Sequence, residues 1–241
     1  MGAVKDQVQT GGGTACPRGI CARRQPAHRA IRPGQPQSGD TDRRDGPEPR
    51  REHDVENDGA PRPHFVVQIH DARRLHFDFR LEVDGVLKSW AVPRGPSENP
   101  SDRRLAVPTE DHALEYREFE GVIPRGESGS GTVIVWDQGT YRPLGHDGQG
   151  DSVPFSESLA LGHATFWLYG SKLHGEFALT RIQKGDEPDS GGHEAWLLIK
   201  ANDRLAVRDR PGSPDPYHAR SARTGRTLHQ VAAAASRGPG D

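Results

Sequence analysis

Only two cysteines, Cys16 and Cys21, occur among the 241 residues, both in a Gly/Pro/Arg-rich stretch. A disulfide framework is thereby excluded, and a four-cysteine zinc site cannot be assembled. No run approaches the roughly 20 apolar residues that a membrane-spanning helix needs. The first residues, Met1-Gly2-Ala3-Val4-Lys5-Asp6, lack the apolar stretch of a secretory signal. These absences make a soluble, cytoplasmic protein with no membrane partner the expectation. No internal repeat of solenoid or propeller period is present either.

What is abundant is glycine and proline, 29 and 20 residues, too many for a chain packed throughout. Residues 1–63 hold 8 Pro, 9 Gly, 11 basic and 9 acidic residues and almost no periodic apolar pattern. Such a segment buries too little surface to offset its ordering entropy, so a disordered N-terminal tail is expected there. From His64 to Val207, short β-branched and aromatic runs alternate with turn residues. Residues 64–207 are the expected folded domain, of a size that is stable alone. Residues 208–241, which include Pro211-Gly212, Pro214 and Pro216, are expected to be a flexible basic C-terminal tail with at most a helical turn at 232–235.

The net charge of -2 hides an uneven distribution. The tails carry +2 (11 basic against 9 acidic residues) and +3 (6 against 3), whereas the core carries -7 (15 against 22). An acidic body does not attract polyanions by its general field, so nucleic-acid binding requires a local basic patch. Nine of the fifteen basic core residues fall between Arg73 and Arg125, including Arg73-Arg74 and Arg103-Arg104. The alternative is solvated loop charge.

Strand signals are short and repeated at 65–69, 75–83, 86–92, 104–107, 132–136, 164–169, 175–182 and 195–199. Asp84-Gly85 between the second and third is a two-residue hairpin signal. About eight strands with short connections point to a mainly β fold, an antiparallel barrel or sandwich with few helices. A short helix is expected over 154–161, with Pro154 near its first turn.

The densest cluster of chemistry is His70-Asp71-Ala72-Arg73-Arg74-Leu75-His76-Phe77-Asp78-Phe79-Arg80-Leu81-Glu82. On a strand, His76, Asp78, Arg80 and Glu82 share one face and Phe77, Phe79 and Leu81 the other. The polar row is either the wet side of an antiparallel sheet or a ligand set. Two imidazoles and a carboxylate suit Mn, Fe, Zn or Co better than Ca, and three protein ligands leave positions for water and substrate. A plain four-residue loop over 71–74 would pair His70 with Leu75 and turn it away from His76; a joint site requires an odd-length loop or a bulge. In the second cluster, Glu110-Asp111-His112-Ala113-Leu114-Glu115-Tyr116, His112 and Tyr116 would meet if this were a helical turn. Read alone, His112 is more often a satisfied loop histidine than a functional one. The run from Gly121 to Thr132 lacks the Gly-Lys-Ser/Thr ending of a P-loop and reads as a turn into the next strand.

The runs from Phe65 to Glu82, Leu87 to Ser97, Glu110 to Tyr116, Phe119 to Pro124 and Gly131 to Asp137, continued by Lys172-Leu173-His174-Gly175 and Trp196 to Lys200, resemble the 3′-phosphoesterase domain of bacterial DNA ligase D. The resemblance implies a small antiparallel β-barrel with a crescent groove. It implies a manganese-dependent phosphoesterase, other divalent first-row metals being compatible, that removes a 3′-terminal ribonucleoside and then the 3′-phosphate, leaving a 3′-hydroxyl for break repair. The metal ligands it implies are His70, His76 and Asp78, and the phosphate-contacting residues Arg80, His112 and Tyr116. Gln68, Arg94, Arg104 and Glu110 match substrate-binding positions along the groove. Partners implied are primer-template DNA ends bearing a 3′-ribonucleotide or 3′-phosphate, together with a DNA ligase or end-binding repair proteins at the nucleoid. No polymerase or ligase module fits in this length, so a free-standing version is expected. Arg94 stands where the family has Lys, and Arg43-Arg44-Asp45-Gly46-Pro47-Glu48-Pro49 only weakly echoes the family's N-terminal flank. Two other readings compete: a non-catalytic DNA-end-binding module, and a non-haem iron oxygenase using His76, Asp78 and the distant His112.

Overall fold

The computed structural model describes residues 61–145, 153–183, 193–208 and 212–236. Of the two units into which the chain divides, Met1–Glu56 and Asn57–Asp241, only the second contains described residues. The tail expected over 1–63 thus lies, through residue 60, outside them.

Among the described residues nine strands form: β1 (His64–Asp71), β2 (Leu75–Val83), β3 (Val86–Val92), β4 (Arg103–His112), β5 (Gly121–Ile123), β6 (Gly131–Pro143), β7 (His163–Gly170), β8 (His174–Gln183) and β9 (Ala195–Lys200). A 3-10 turn spans Leu114–Glu118, and two short helices, α1 (Phe155–Leu161) and α2 (Leu228–Ala235), complete the elements of the described residues. Pairing runs β1-β2-β3-β4-β9-β8-β7-β6, and β6 returns to β1, closing an eight-stranded antiparallel barrel; β5 adds to the start of β6. Closure removes the free sheet edges that would otherwise invite pairing with another chain.

The alternation of apolar residues decides which face closes inward. Phe65, Val67 and Ile69 of β1 and Phe77, Phe79 and Leu81 of β2 enter one core with Trp90, Ala106, Ile134, Phe166, Phe177, Trp196 and Leu198. Ring pairs such as Phe79–Phe166 at 5.9 Å and Trp90–Trp196 at 6.1 Å fill the lumen of a barrel of this size. The β2–β3 hairpin turns on Asp84 (φ 48) and Gly85 (φ 83), both left-handed, as a primed two-residue turn requires. Helix α1 starts at Pro154 as N-cap and stops at Gly162 (φ 90).

Residues 212–236 depart from the flexible tail expected after 208. Leu228 and Val231 of α2 are buried in the core, and Thr227 and Gln230 form a reciprocal capping box. The partners are β5 and β6, which the pattern of the tail alone did not disclose. No helix among the described residues is long and apolar enough to cross a membrane.

Candidate metal centre and active-site groove

The β1–β2 hairpin sets the geometry. Asp71 pairs with Leu75, which leaves a three-residue loop, Ala72–Arg74, and places His70 directly opposite His76. The odd loop length that a joint site requires is therefore present. Two residues along, Gln68 faces Asp78, and Arg80 follows on the same face of β2. The interior-facing Ile69, Phe77 and Phe79 anchor the strands, so the polar row lines the outer face, which is covered by the 3-10 turn and by residues 123–129.

His70, His76 and Asp78 offer ligand atoms that all lie within 4.8 Å of one another. His70 Nδ1 is 3.6 Å from Asp78 Oδ2, and His76 Nε2 is 3.5 Å from Asp78 Oδ1. The other nitrogen of each ring meets a backbone carbonyl: His70 Nε2 donates to Gly129 O at 2.8 Å, and His76 Nδ1 donates to Arg74 O at 2.9 Å. A carbonyl only accepts, so each neutral ring keeps its proton on that side and turns a lone pair toward the carboxylate. Two lone pairs and a carboxylate facing one another repel unless a proton or a cation sits among them. The donor set fits a divalent first-row metal on these grounds.

Electrostatics agree with this arrangement. Burial pushes the Asp78 carboxyl up, but the N–H that His70 or His76 presents to it once that ring is protonated, and the charge of Arg80, outweigh it and hold it well below the usual carboxylate range. For His76, burial pulls the ring down, while Asp78 and the Arg74 carbonyl overcome that and leave it raised. The cluster thus attracts positive charge.

Arg80 is 3% exposed and is held on four sides. Its Nη2 pairs with Asp78 Oδ2 at 3.0 Å, its Nε donates to Gln68 Oε1 at 2.8 Å and its Nη1 donates to Ser89 Oγ at 2.7 Å. Nη1 also lies 3.0 Å from His112 Nδ1, and the guanidinium carbon stands 5.1 Å from the centre of the Tyr116 ring. His112 Nδ1 is in addition 2.7 Å from the Glu110 carbonyl. One nitrogen cannot accept from a guanidinium and donate to a carbonyl at once. The ring therefore has two tautomers to choose from, and pairing with Arg80 leaves the proton on Nε2 as a donor. Burial, then the charge of Arg80, lowers the His112 pKa and favours the neutral ring.

The open groove over these groups has a cavity volume of about 310 Å3, and Asp78, Arg80, His112 and Tyr116 line it beside the two histidines. His112 ends a strand and Tyr116 sits on the 3-10 turn, rather than both on one helical turn; their ring centres are still 4.9 Å apart. Among the described residues His112 is not in the group that could hold a metal, so the ligand set required by the oxygenase reading is not formed.

Of the four expected groove contacts, only Glu110 lines this cavity. Gln68 is fully buried, its amide nitrogen spent on the carbonyls of Tyr116 (3.1 Å) and Phe119 (3.0 Å) and its oxygen on Arg80, so no atom is left for substrate. Arg94 is exposed just past the end of β3, and Arg104 donates to Asp102 at 2.7 Å, with its buried Nε lacking a hydrogen-bond partner. Three participants were missed: Ser89 and the carbonyls of Gly129 and Arg74. Ser89 was within reach, because the Asp84-Gly85 turn pairs Val83 with Val86 and thereby Arg80 with Ser89.

Residues 68–181 match the family described as the DNA Ligase D 3′-phosphoesterase domain. The multifunctional non-homologous end joining protein LigD of Pseudomonas aeruginosa is 46% identical over 157 residues, covering 62% of this chain and 17% of that protein. The multifunctional non-homologous end joining DNA repair protein LigD of Mycobacterium tuberculosis is 50% identical over 117 residues, covering 48% of this chain and 14% of its own length. The multifunctional non-homologous end joining protein LigD of Mycolicibacterium smegmatis is 40% identical over 156 residues, covering 62% of this chain and 18% of that protein. The chain thus spans less than a fifth of the curated relatives it matches. Barrel, groove and likeness together place residues 68–181 in the DNA ligase D 3′-phosphoesterase domain family.

Proposed function

We propose that the groove is a metal-dependent 3′-end-processing phosphoesterase site acting on DNA breaks. The observation that carries this reading is a buried arginine fixed beside a two-histidine, one-aspartate donor set on the floor of an open groove. A divalent ion on His70, His76 and Asp78, Mn2+ in our reading, would supply Lewis-acid polarisation of a phosphoryl oxygen.

The chain's own residues do the rest. Arg80 is held rigidly enough to meet phosphoryl oxygens without reorganising, and its contact strengthens as negative charge develops. Tyr116 orients the phosphate from across the groove, and its hydroxyl stays protonated because burial raises its pKa. His112, with its proton on Nε2, donates to the leaving oxygen. Glu110 at the rim and the flanking Arg94 and Arg104 steady the sugar and the neighbouring phosphates. In the first step water replaces the 5′-oxygen of a terminal ribonucleoside on phosphorus and leaves a 3′-phosphate. In the second, water releases inorganic phosphate and leaves a 3′-hydroxyl for a DNA ligase or an end-binding repair protein to use at the nucleoid. That the relatives are named as end-joining proteins supports this setting.

The test is product analysis. A primer-template ending in one ribonucleotide, given Mn2+, should yield first the 3′-phosphate and then the 3′-hydroxyl primer, and neither in EDTA. His76→Ala should lose both products. Equal product from this variant would overturn the assignment. Primer-template binding without turnover in Mn2+ would favour the end-binding module instead.

A further inference from the structure

The stretch Glu118-Phe119-Glu120 lies between the groove and the C-terminal segment. On one side Phe119 serves the groove: its carbonyl accepts from Gln68 at 3.0 Å, and its ring stacks on Tyr116 with centres 5.1 Å apart and planes at 13°. On the other side, both flanking carboxylates are taken by residues 223–226. Glu118 pairs with Arg223 at 3.0 Å. The Glu120 side chain is 3% exposed and accepts from Arg226 Nη2 at 3.1 Å, from the Thr224 hydroxyl and from the Val135 N–H at 3.3 Å. The segment that supplies these donors is itself tied down. Ala222 N donates to Val135 O at 2.8 Å, Ser221 N to Arg226 O at 2.8 Å and Lys172 Nζ to Arg220 O at 2.6 Å.

We propose that Glu120, held by Thr224 and Arg226, is a positioning residue for the groove: it fixes Phe119, through which Tyr116 and the Gln68–Arg80 pair take their places. This rests on the phosphoesterase reading of the site. Gln68 spends its amide nitrogen on the carbonyls of Tyr116 and Phe119 and its oxygen on Arg80, so a shift of Phe119 turns the whole amide and moves the guanidinium with it. Misplacement of such a group by about 1 Å costs on the order of a hundredfold in rate. The two histidine ligands are independent of this route, because His70 and His76 are fixed by the carbonyls of Gly129 and Arg74; Asp78 touches it through Arg80 but faces both rings at 3.6 and 3.5 Å on its own account. Residues 221–226, outside the matched stretch 68–181, thereby belong to the working site.

The experiment compares Thr224→Val, which keeps the shape and removes the hydroxyl, with Thr224→Ser, which keeps the hydroxyl, and adds Arg226→Ala to the valine variant. Three quantities are read on the full chain: kcat on a 3′-phosphate primer, the Mn2+ Kd, and solvent exchange of the Arg80 Nε–H by NMR without metal. The valine variants should lose about tenfold in kcat at unchanged Mn2+ Kd and exchange the Arg80 proton faster. Thr224→Ser should restore both. If the double variant does not fold, the single, isosteric one decides. Wild-type kcat and wild-type exchange in folded valine variants would overturn the proposal. A wild-type protein that turns over no substrate with any divalent ion would sink the phosphoesterase reading instead, and the exchange comparison would still decide the positioning role.

Discussion

At the residue scale, the proposed chemistry separates groups that would hold a cation from a group that would hold the phosphoryl. Arg80→Lys keeps the charge beside Asp78 but loses the fork that reaches Gln68 and Ser89 together. We expect kcat to fall by about a hundredfold, the cost of losing one preorganised donor, with the Mn2+ Kd unchanged in a titration. A variant that loses metal and rate in parallel would show that Arg80 supports the metal rather than the substrate. The histidines, the aspartate and the arginine were legible in the sequence because side chains two apart on a strand share a face. What was not legible is what fixes the rings, since the carbonyls of Arg74 and Gly129 are backbone atoms that carry no residue-type signature. Gln68 illustrates the complementary error: its place beside the site was readable, but its full burial under Phe119 depends on a turn 51 residues away.

At the scale of elements, the site depends on close approach of the β1–β2 hairpin to the start of β6. A Cβ at Gly131 (φ 148) would stand 2.3 Å from the Asp71 carbonyl oxygen. Gly131→Ala should therefore cost about 1–3 kcal/mol of stability through backbone strain, and should weaken Mn2+ binding by displacing the hairpin; thermal melting and metal titration check this. Glu120 makes the second prediction. Burial raises its carboxyl, but hydrogen bonds from Ser221, Thr224, Val135 and Arg226 outweigh that and lower it from the ordinary 4.5. A depressed folded-state value means that this group's stabilisation is complete above pH 4.5 and is lost as pH falls through the lower, folded value. Amide exchange across 221–231 should accelerate in that acid range, and Glu120→Gln should remove the dependence. The strands were largely legible because alternation and the Asp-Gly turn fix them. Missed were β5, with only three residues, the polar second half of β6 and the packing of α2, because each is specified by a partner distant in sequence.

At the scale of the whole molecule, a barrel closed by β6 on β1 gives the groove a rigid floor, and the ligand set crosses two strands of that floor. Metal that binds the folded state alone must stabilise it. At 100 times its Kd, Mn2+ should add about 2.7 kcal/mol to unfolding, a rise in melting temperature that Asp78→Ala removes. The central claim is that His70, His76 and Asp78 share one ion beside Arg80. Its most direct test is anomalous diffraction at the manganese edge from crystals grown with Mn2+ and phosphate. The account predicts one peak within coordination distance of all three side chains, with phosphate between it and Arg80; a peak elsewhere, or none in this cluster at saturating Mn2+, would contradict it.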